Sequence, residues 1–187
     1  MFNFSQLTEI AMPAPVTSDD CYFNFNKTIS PNLLEYITNF VNSKNLNYWN
    51  RSDSRSFWQL PIDTTSIRGL DSTLDNVIHE FGNISISLLY TQPWTYIHPH
   101  KDKYRKCAMN AVLTESPSTT FWLTGNRRTD QDHIIELDCK LNNYYLLNTS
   151  IMHGVINRNN PRLSFSMDFS IDVDYNFIQK NLLIKRI

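Results

Sequence analysis

From residue 84 almost to Ile171 the hydrophobic period is two, and that period excludes a helical fold for this half of the chain. Ile84, Ile86, Leu88 and Tyr90 alternate with Ser85, Ser87 and Leu89. In an extended chain successive side chains point to opposite faces, so the alternation describes a strand with one face buried. Further strand-like runs occupy 94–100, 107–114, 119–124, 133–139, 144–149, 152–157 and 162–171, with Pro, Gly and Asn turns between them. Many short strands at this spacing predict a double-stranded β-helix, or jelly roll.

The first eighty residues read differently. Residues 1–30 mix Pro13, Pro15, Asp19 and Asp20 with the aromatics Tyr22, Phe23 and Phe25, which predicts a loose arm and one short strand. Ser30 before Pro31 is an N-cap and first-turn pair, and Leu33, Leu34, Ile37, Phe40 and Val41 follow at helical spacing to about Lys44. The stretch 45–63 has no sustained period and reads as a surface loop pinned by Trp49 and Trp58, with Arg51, Arg55 and Pro61. Asp71 caps a second helix with an apolar stripe at Leu74, Val77, Ile78 and Phe81, closed by Gly82. The class expected is mainly β with flanking helices that brace one sheet face. Residues 1–187 are read as a single domain: 1–83 an N-terminal arm with bracing helices, 84–171 the β core, 172–187 a C-terminal extension.

Bulk properties narrow the function. At 187 residues the chain is long enough for a real core, and its formal charge of -1 gives no general attraction to nucleic acid or acidic membranes. Cys21, Cys107 and Cys139 are odd in number and widely separated, which predicts reduced thiols rather than a disulfide framework or zinc ribbon. With no charged-then-apolar leader and no run of membrane-spanning length, the expectation is a soluble, cytoplasmic protein of unknown oligomeric state.

Chemistry concentrates in two places. Tyr96-Ile-His-Pro-His-Lys-Asp102 sets His98, His100 and Asp102 on alternate residues of what reads as one strand, neighbours roughly 6 to 7 Å apart on one face. Either histidine can join the carboxylate there, and His153 in a later strand supplies a third ligand. Two histidines and a carboxylate leave open positions on a metal. The final strand then divides Leu163, Phe165, Met167, Phe169 and Ile171 from Arg162, Ser164, Ser166, Asp168 and Ser170. A solvent-facing polar side is one reading of that division. A polar pocket between the sheets is the other, and a guanidinium inside it needs an anion to offset its desolvation.

His100-Lys-Asp102, a gap of about fifty residues, His153, then Arg162-Leu-Ser164 resembles the Fe(II)/2-oxoglutarate-dependent dioxygenases. The nearest branch is the aspartyl/asparaginyl hydroxylase-like or small prolyl-hydroxylase-like one. Arg105, Asn110, the run 119–122 and Tyr145-Leu-Leu-Asn148 are also similar, and the likeness covers about residues 84 to 171. It implies a cupin-like jelly roll with Fe(II) on His100, Asp102 and His153. Arg162 and Ser164 would bind the distal carboxylate of 2-oxoglutarate, with Arg105 and Asn110 reaching the cosubstrate or bound water; an Arg three residues past a ligand reads equally as a surface charge. The implied reaction is hydroxylation by O₂ of a C–H bond in an amino acid, peptide or protein residue. Asp102 bears on that reaction, because related halogenases carry a small residue there; the vertebrate-type aspartyl hydroxylase lacks the carboxylate too. The competing readings are a cupin-like metal-binding module without oxygenase activity, and a β-sandwich whose histidines merely pack. Trp94, Tyr96 and Trp122 are candidates for the substrate entrance or for core packing. His79 and His133 read as exposed or structural, the latter beside Asp130 and Asp132. Substrate choice is expected to lie in the loops 45–63, 91–97 and 125–132.

Overall fold

A computed structural model describes residues 16–44, 46–51, 57–124 and 133–185. Arg55, Asp130, Asp132 and the whole 125–132 loop lie outside them. The elements run α1 (Ser18–Cys21), β1 (Tyr22–Thr28), α2 (Pro31–Ser43), β2 (Asn50–Arg51), β3 (Trp58–Ile62), α3 (Ser72–Phe81) and β4 (Ile84–Thr91). Then come β5 (Tyr96–His100), β6 (Cys107–Val112), β7 (Ser118–Leu123), β8 (Ile134–Asp138), β9 (Asn143–Asn148), β10 (His153–Asn157), β11 (Arg162–Phe169) and α4 (Tyr175–Lys185). The strands form a seven-stranded sheet, β1-β9-β6-β11-β4-β3-β2, and a four-stranded one, β5-β10-β7-β8, with every pairing antiparallel. This is the double-stranded β-helix.

The two faces of the larger sheet carry opposite chemistry. Phe165, Met167, Leu88, Ile86, Met109 and Leu146 join Leu33 and Ile37 of α2 and Leu74, Val77 and Ile78 of α3 in the main core. The helices therefore cover the outer face. Arg162, Ser164, Ser166 and Asp168 occupy the alternate positions of β11, and Arg162 and Ser164 line a cavity shared with His153 and Val155 of the smaller sheet. Both helices start as the sequence predicts. The Asp71 carboxylate accepts from Leu74 N at 2.9 Å and from Ser30 N at 2.7 Å, while Ser30 Oγ accepts from Leu33 N at 3.2 Å. One buried carboxylate thus serves both helix entries, and Gly82 ends α3 at φ +68°.

Residues 1–83 add strands as well as helices. The stretch expected to be a loop contains β3, in which Leu60 and Ile62 are buried and Gln59 and Pro61 alternate with them. Pro61 disguises the strand, but it is tolerated because two-residue β2 pairs only with Gln59 and Trp58, leaving Pro61 no partner on that side. The tryptophans do pin this region: Trp49 and Trp58 both meet Tyr90, and Arg51 lies over the Trp58 ring. α4 continues from the predicted extension, with Tyr175, Ile178 and Leu182 inside the main core. The three cysteines are free thiols, two of them fully buried. No helix among the described residues is long and apolar enough to cross a membrane.

Candidate active site

His153 opens β10 and stands directly opposite His100, the last residue of β5. Simple alternation breaks down along β5. His153 pairs with His100 but Val155 pairs with Ile97, so four residues of β5 oppose three of β10. This bulge at His98-Pro99 changes the phase of the strand. Ile97 and His100 now line the same cavity, whereas the His98 ring packs on Tyr96, centroids 4.7 Å apart. Strand β5 also ends at His100, and Asp102 is placed instead by its backbone N–H donating to the Thr149 carbonyl at 3.1 Å. His100, Asp102 and His153 converge and His98 does not.

The neighbouring strand enforces this approach. An added Cβ on Gly154 would lie 2.6 Å from the Phe121 ring and 2.7 Å from the Ile97 carbonyl oxygen, so β5 can close on β10 only because residue 154 has no side chain.

Ligand atoms of the three residues lie within 4.8 Å of one another. Donors at about 2.0 to 2.2 Å from one ion are at most about 4.4 Å apart, so small side-chain rotations would complete the set. His100 Nε2 is 3.3 Å from Asp102 Oδ1, and the two imidazole centroids are 4.6 Å apart. Each ring is oriented by a carbonyl two residues earlier: His100 Nδ1 donates to His98 O at 2.8 Å and His153 Nδ1 to Ile151 O at 2.9 Å. A carbonyl only accepts, so in the neutral rings the proton sits on Nδ1 and both Nε2 lone pairs remain for a metal.

Charge reinforces the arrangement. Burial alone would raise the Asp102 carboxyl, but the charge and hydrogen bond of Arg105, with His153 and His100, outweigh it and hold it below the usual carboxylate range. Arg105 Nε lies 2.5 Å from Asp102 Oδ2, and Nη1 donates to Asp168. Burial would lower this guanidinium, yet the charges of Asp168 and Asp102 raise it. Two carboxylates against one guanidinium leave a net negative site suited to a divalent cation.

Burial lowers the His153 pKa below its usual 6.5, against the pull of the Ile151 carbonyl and Asp102. The unfolded chain therefore binds a proton more readily than the metal-free folded one, and stability falls as pH drops through about 6.5, by at most about 1.4 kcal/mol per pH unit. Asp102 adds no slope in this window, since its lowered pKa titrates well below it. Urea melts of metal-free protein at pH 7.5 and 5.5 should show the loss, and His153→Gln should remove most of it.

The cavity beside the histidines runs inward to Arg162 and Ser164, walled by Leu89, Ile97, Leu147 and Val155. Its volume, about 80 Å³, is several times the roughly 10–15 Å³ that one water needs. Arg162 is 5 % exposed, and among the described residues its Nε has no hydrogen-bond partner and no ion pair includes it. Burial lowers its pKa. Asn110 also lines the cavity and lies 2.8 Å from Ser166 Oγ. Arg105 borders this cavity, but its head group is taken up by the two aspartates.

Among the entrance candidates, Trp122 is fully buried and donates to Asn148 O at 2.9 Å, so it is core. Trp94 and Tyr96 are exposed, Tyr96 stacking on Phe121; His79 and His133 are exposed. Asp168 was placed on the polar face of its strand by the sequence but given no role. Phe57 and Gln59 were hidden in the segment read as a loop. They line a second cleft of about 340 Å³ at the mouth with Asp102, Tyr104, Arg105 and Asp168, and it shares Phe57, Leu89 and Arg105 with the inner cavity.

No protein-family model and no curated protein sequence matches the chain. Solved structures do. A prolyl-4-hydroxylase from Pseudomonas putida superposes with a TM-score of 0.59 at 11% identity, covering 80% of this chain and 91% of that one. A Trichoplax adhaerens prolyl hydroxylase, solved with a peptide fragment of the hypoxia inducible factor oxygen degradation domain, gives 0.56 at 10%, covering 81% and 83%. HygX from Streptomyces hygroscopicus, solved with nickel, 2-oxoglutarate and hygromycin B, gives 0.52 at 8%, covering 80% and 82%. The likeness is one of fold.

Proposed function

We propose that this chain is an Fe(II)- and 2-oxoglutarate-dependent dioxygenase that hydroxylates a C–H bond of an amino acid or of a residue in a peptide or protein. The observation that carries the reading is Arg162. A guanidinium buried without a carboxylate partner is unfavourable on its own, and the cavity that joins it to the His100, Asp102 and His153 set accommodates the missing anion. A module that only bound metal would have no use for this cation.

The side chains divide the work. His100, Asp102 and His153 would hold the iron through two neutral Nε2 atoms and one carboxylate. Arg162 would donate to the distal carboxylate of 2-oxoglutarate, Ser164 Oγ would add a third donor, and the apolar walls exclude water from between the two ends. Bound iron and 2-oxoglutarate supply, with O₂, an oxidant able to break a C–H bond, releasing succinate and CO₂. The mouth cleft would then orient the substrate; its volume lies at the lower end of the range for small-molecule sites, enough for a side chain or a small metabolite. The Trichoplax neighbour, bound to a peptide, supports a peptide residue as substrate.

The test needs no substrate. Anaerobic titration should give one Fe(II) per chain, 2-oxoglutarate should bind to the metal-loaded protein, and admitting air should start slow succinate release. Metal uptake with no 2-oxoglutarate binding would overturn the proposal in favour of a metal-binding module.

A further inference from the structure

We infer that Arg105, braced by Asp168, is a positioning residue that turns Asp102 so that a single carboxylate oxygen faces the metal ligands. The inference rests on the metal site proposed above. Asp102 lies two residues beyond the end of β5, where no sheet pairing restrains its side chain. Its two oxygens nevertheless have separate surroundings: Oδ1 is 3.3 Å from His100 Nε2, and Oδ2 is 2.5 Å from Arg105 Nε. The restraint is passed from the sheet. Asp168 sits in β11, paired on one side with Ala108 and on the other with Ser85, and it accepts from Arg105 Nη1. The Arg105 carbonyl accepts from Thr149 Oγ1 at 3.3 Å, and the Thr149 carbonyl holds the Asp102 N–H at 3.1 Å. A guanidinium carries its donors in fixed directions, so it can bridge the two carboxylates; a lysine ammonium cannot do this with the same geometry.

Charge and positioning predict opposite effects of Arg105 on metal affinity. A cation beside a divalent-metal site repels the metal, so a purely electrostatic Arg105 would weaken binding and its removal would tighten it. Positioning predicts the reverse sign. Removing a residue that orients a ligand from behind typically weakens metal binding about 10- to 100-fold.

The experiment is Co(II) titration of the full chain, followed by its visible ligand-field bands, with thermal melts of the metal-free proteins to establish folding. Arg105→Gln should bind Co(II) about 10- to 100-fold more weakly, with shifted bands because the freed oxygen changes the coordination. The double variant Arg105→Gln/Asp168→Asn keeps the net charge of the wild type and does not leave Asp168 as an unpaired carboxylate; it should be as weak as the single one. Arg105→Lys retains the charge and should not restore the wild-type bands. Tighter binding by Arg105→Gln, wild-type binding by the double variant, or full rescue by lysine would overturn the positioning role while leaving the metal site intact. Wild-type protein whose Co(II) uptake is unchanged by His153→Ala would instead remove the metal site, and this inference with it.

Discussion

Arg162→Met is expected to weaken 2-oxoglutarate binding by about 100-fold or more while leaving the metal-free protein at least as stable as the wild type. Both halves follow from the same burial. Hydrogen bonds to a charged group contribute about 1.5 to 3 kcal/mol each, so losing a pair to the distal carboxylate removes roughly 3 to 6 kcal/mol. Without cosubstrate the same guanidinium is a buried cation with no carboxylate partner among the described residues, where its Nε also finds no acceptor. Methionine fills similar length without a charge to desolvate, which should stabilise the metal-free fold by up to roughly 1 to 4 kcal/mol. Calorimetric titration of the Mn(II)-loaded protein reads the first effect and urea melts of the metal-free protein the second. Unchanged 2-oxoglutarate affinity combined with a loss of stability would make Arg162 a structural cation and remove the cosubstrate assignment.

Asp102→Ala should abolish substrate-independent succinate formation and lower metal affinity by more than the roughly 100-fold upper range for an outer partner, because it deletes the one anionic ligand. The fold should tolerate the change. Arg105 keeps Asp168 as its counter-charge, so no guanidinium is left unpaired. Equilibrium dialysis with Fe(II) under anaerobic conditions, beside a thermal melt, separates lost ligation from lost folding. A variant that still bound one Fe(II) per chain with wild-type affinity would exclude Asp102 from the ligand set.

Much of the β core could be read directly, because period two survives any tertiary arrangement that buries one sheet face. The run predicted at 144–149 became Asn143–Asn148, and that at 119–124 became Ser118–Leu123. Strand β3 escaped because Pro61 and the surrounding aromatics conceal a five-residue alternation, and its outer neighbour β2 is only two residues long. The short α1 was read as part of a loose arm; its capping box, Thr17 with Asp20, involves too few residues to produce a hydrophobic period.

The site divides along the same line. Residue type and order along the chain were enough to nominate Asp102, His153 and Arg162 with either His98 or His100, and the resemblance to the dioxygenases then chose His100 and added Ser164. Geometry was not available from alternation. The bulge in β5 shows only in its register against β10, and it brings His100 to the cavity while His98 packs on Tyr96. Arg105 likewise reads from sequence as either a residue near the cosubstrate or a surface charge, but which anions it meets depends on Asp168, sixty-three positions away. What the sequence by itself determined was the alternating faces and the inventory of reactive groups, because both depend on local backbone geometry and side-chain chemistry. What only the tertiary structure decided was the phase, partner and burial of each group, because those depend on contacts between distant strands.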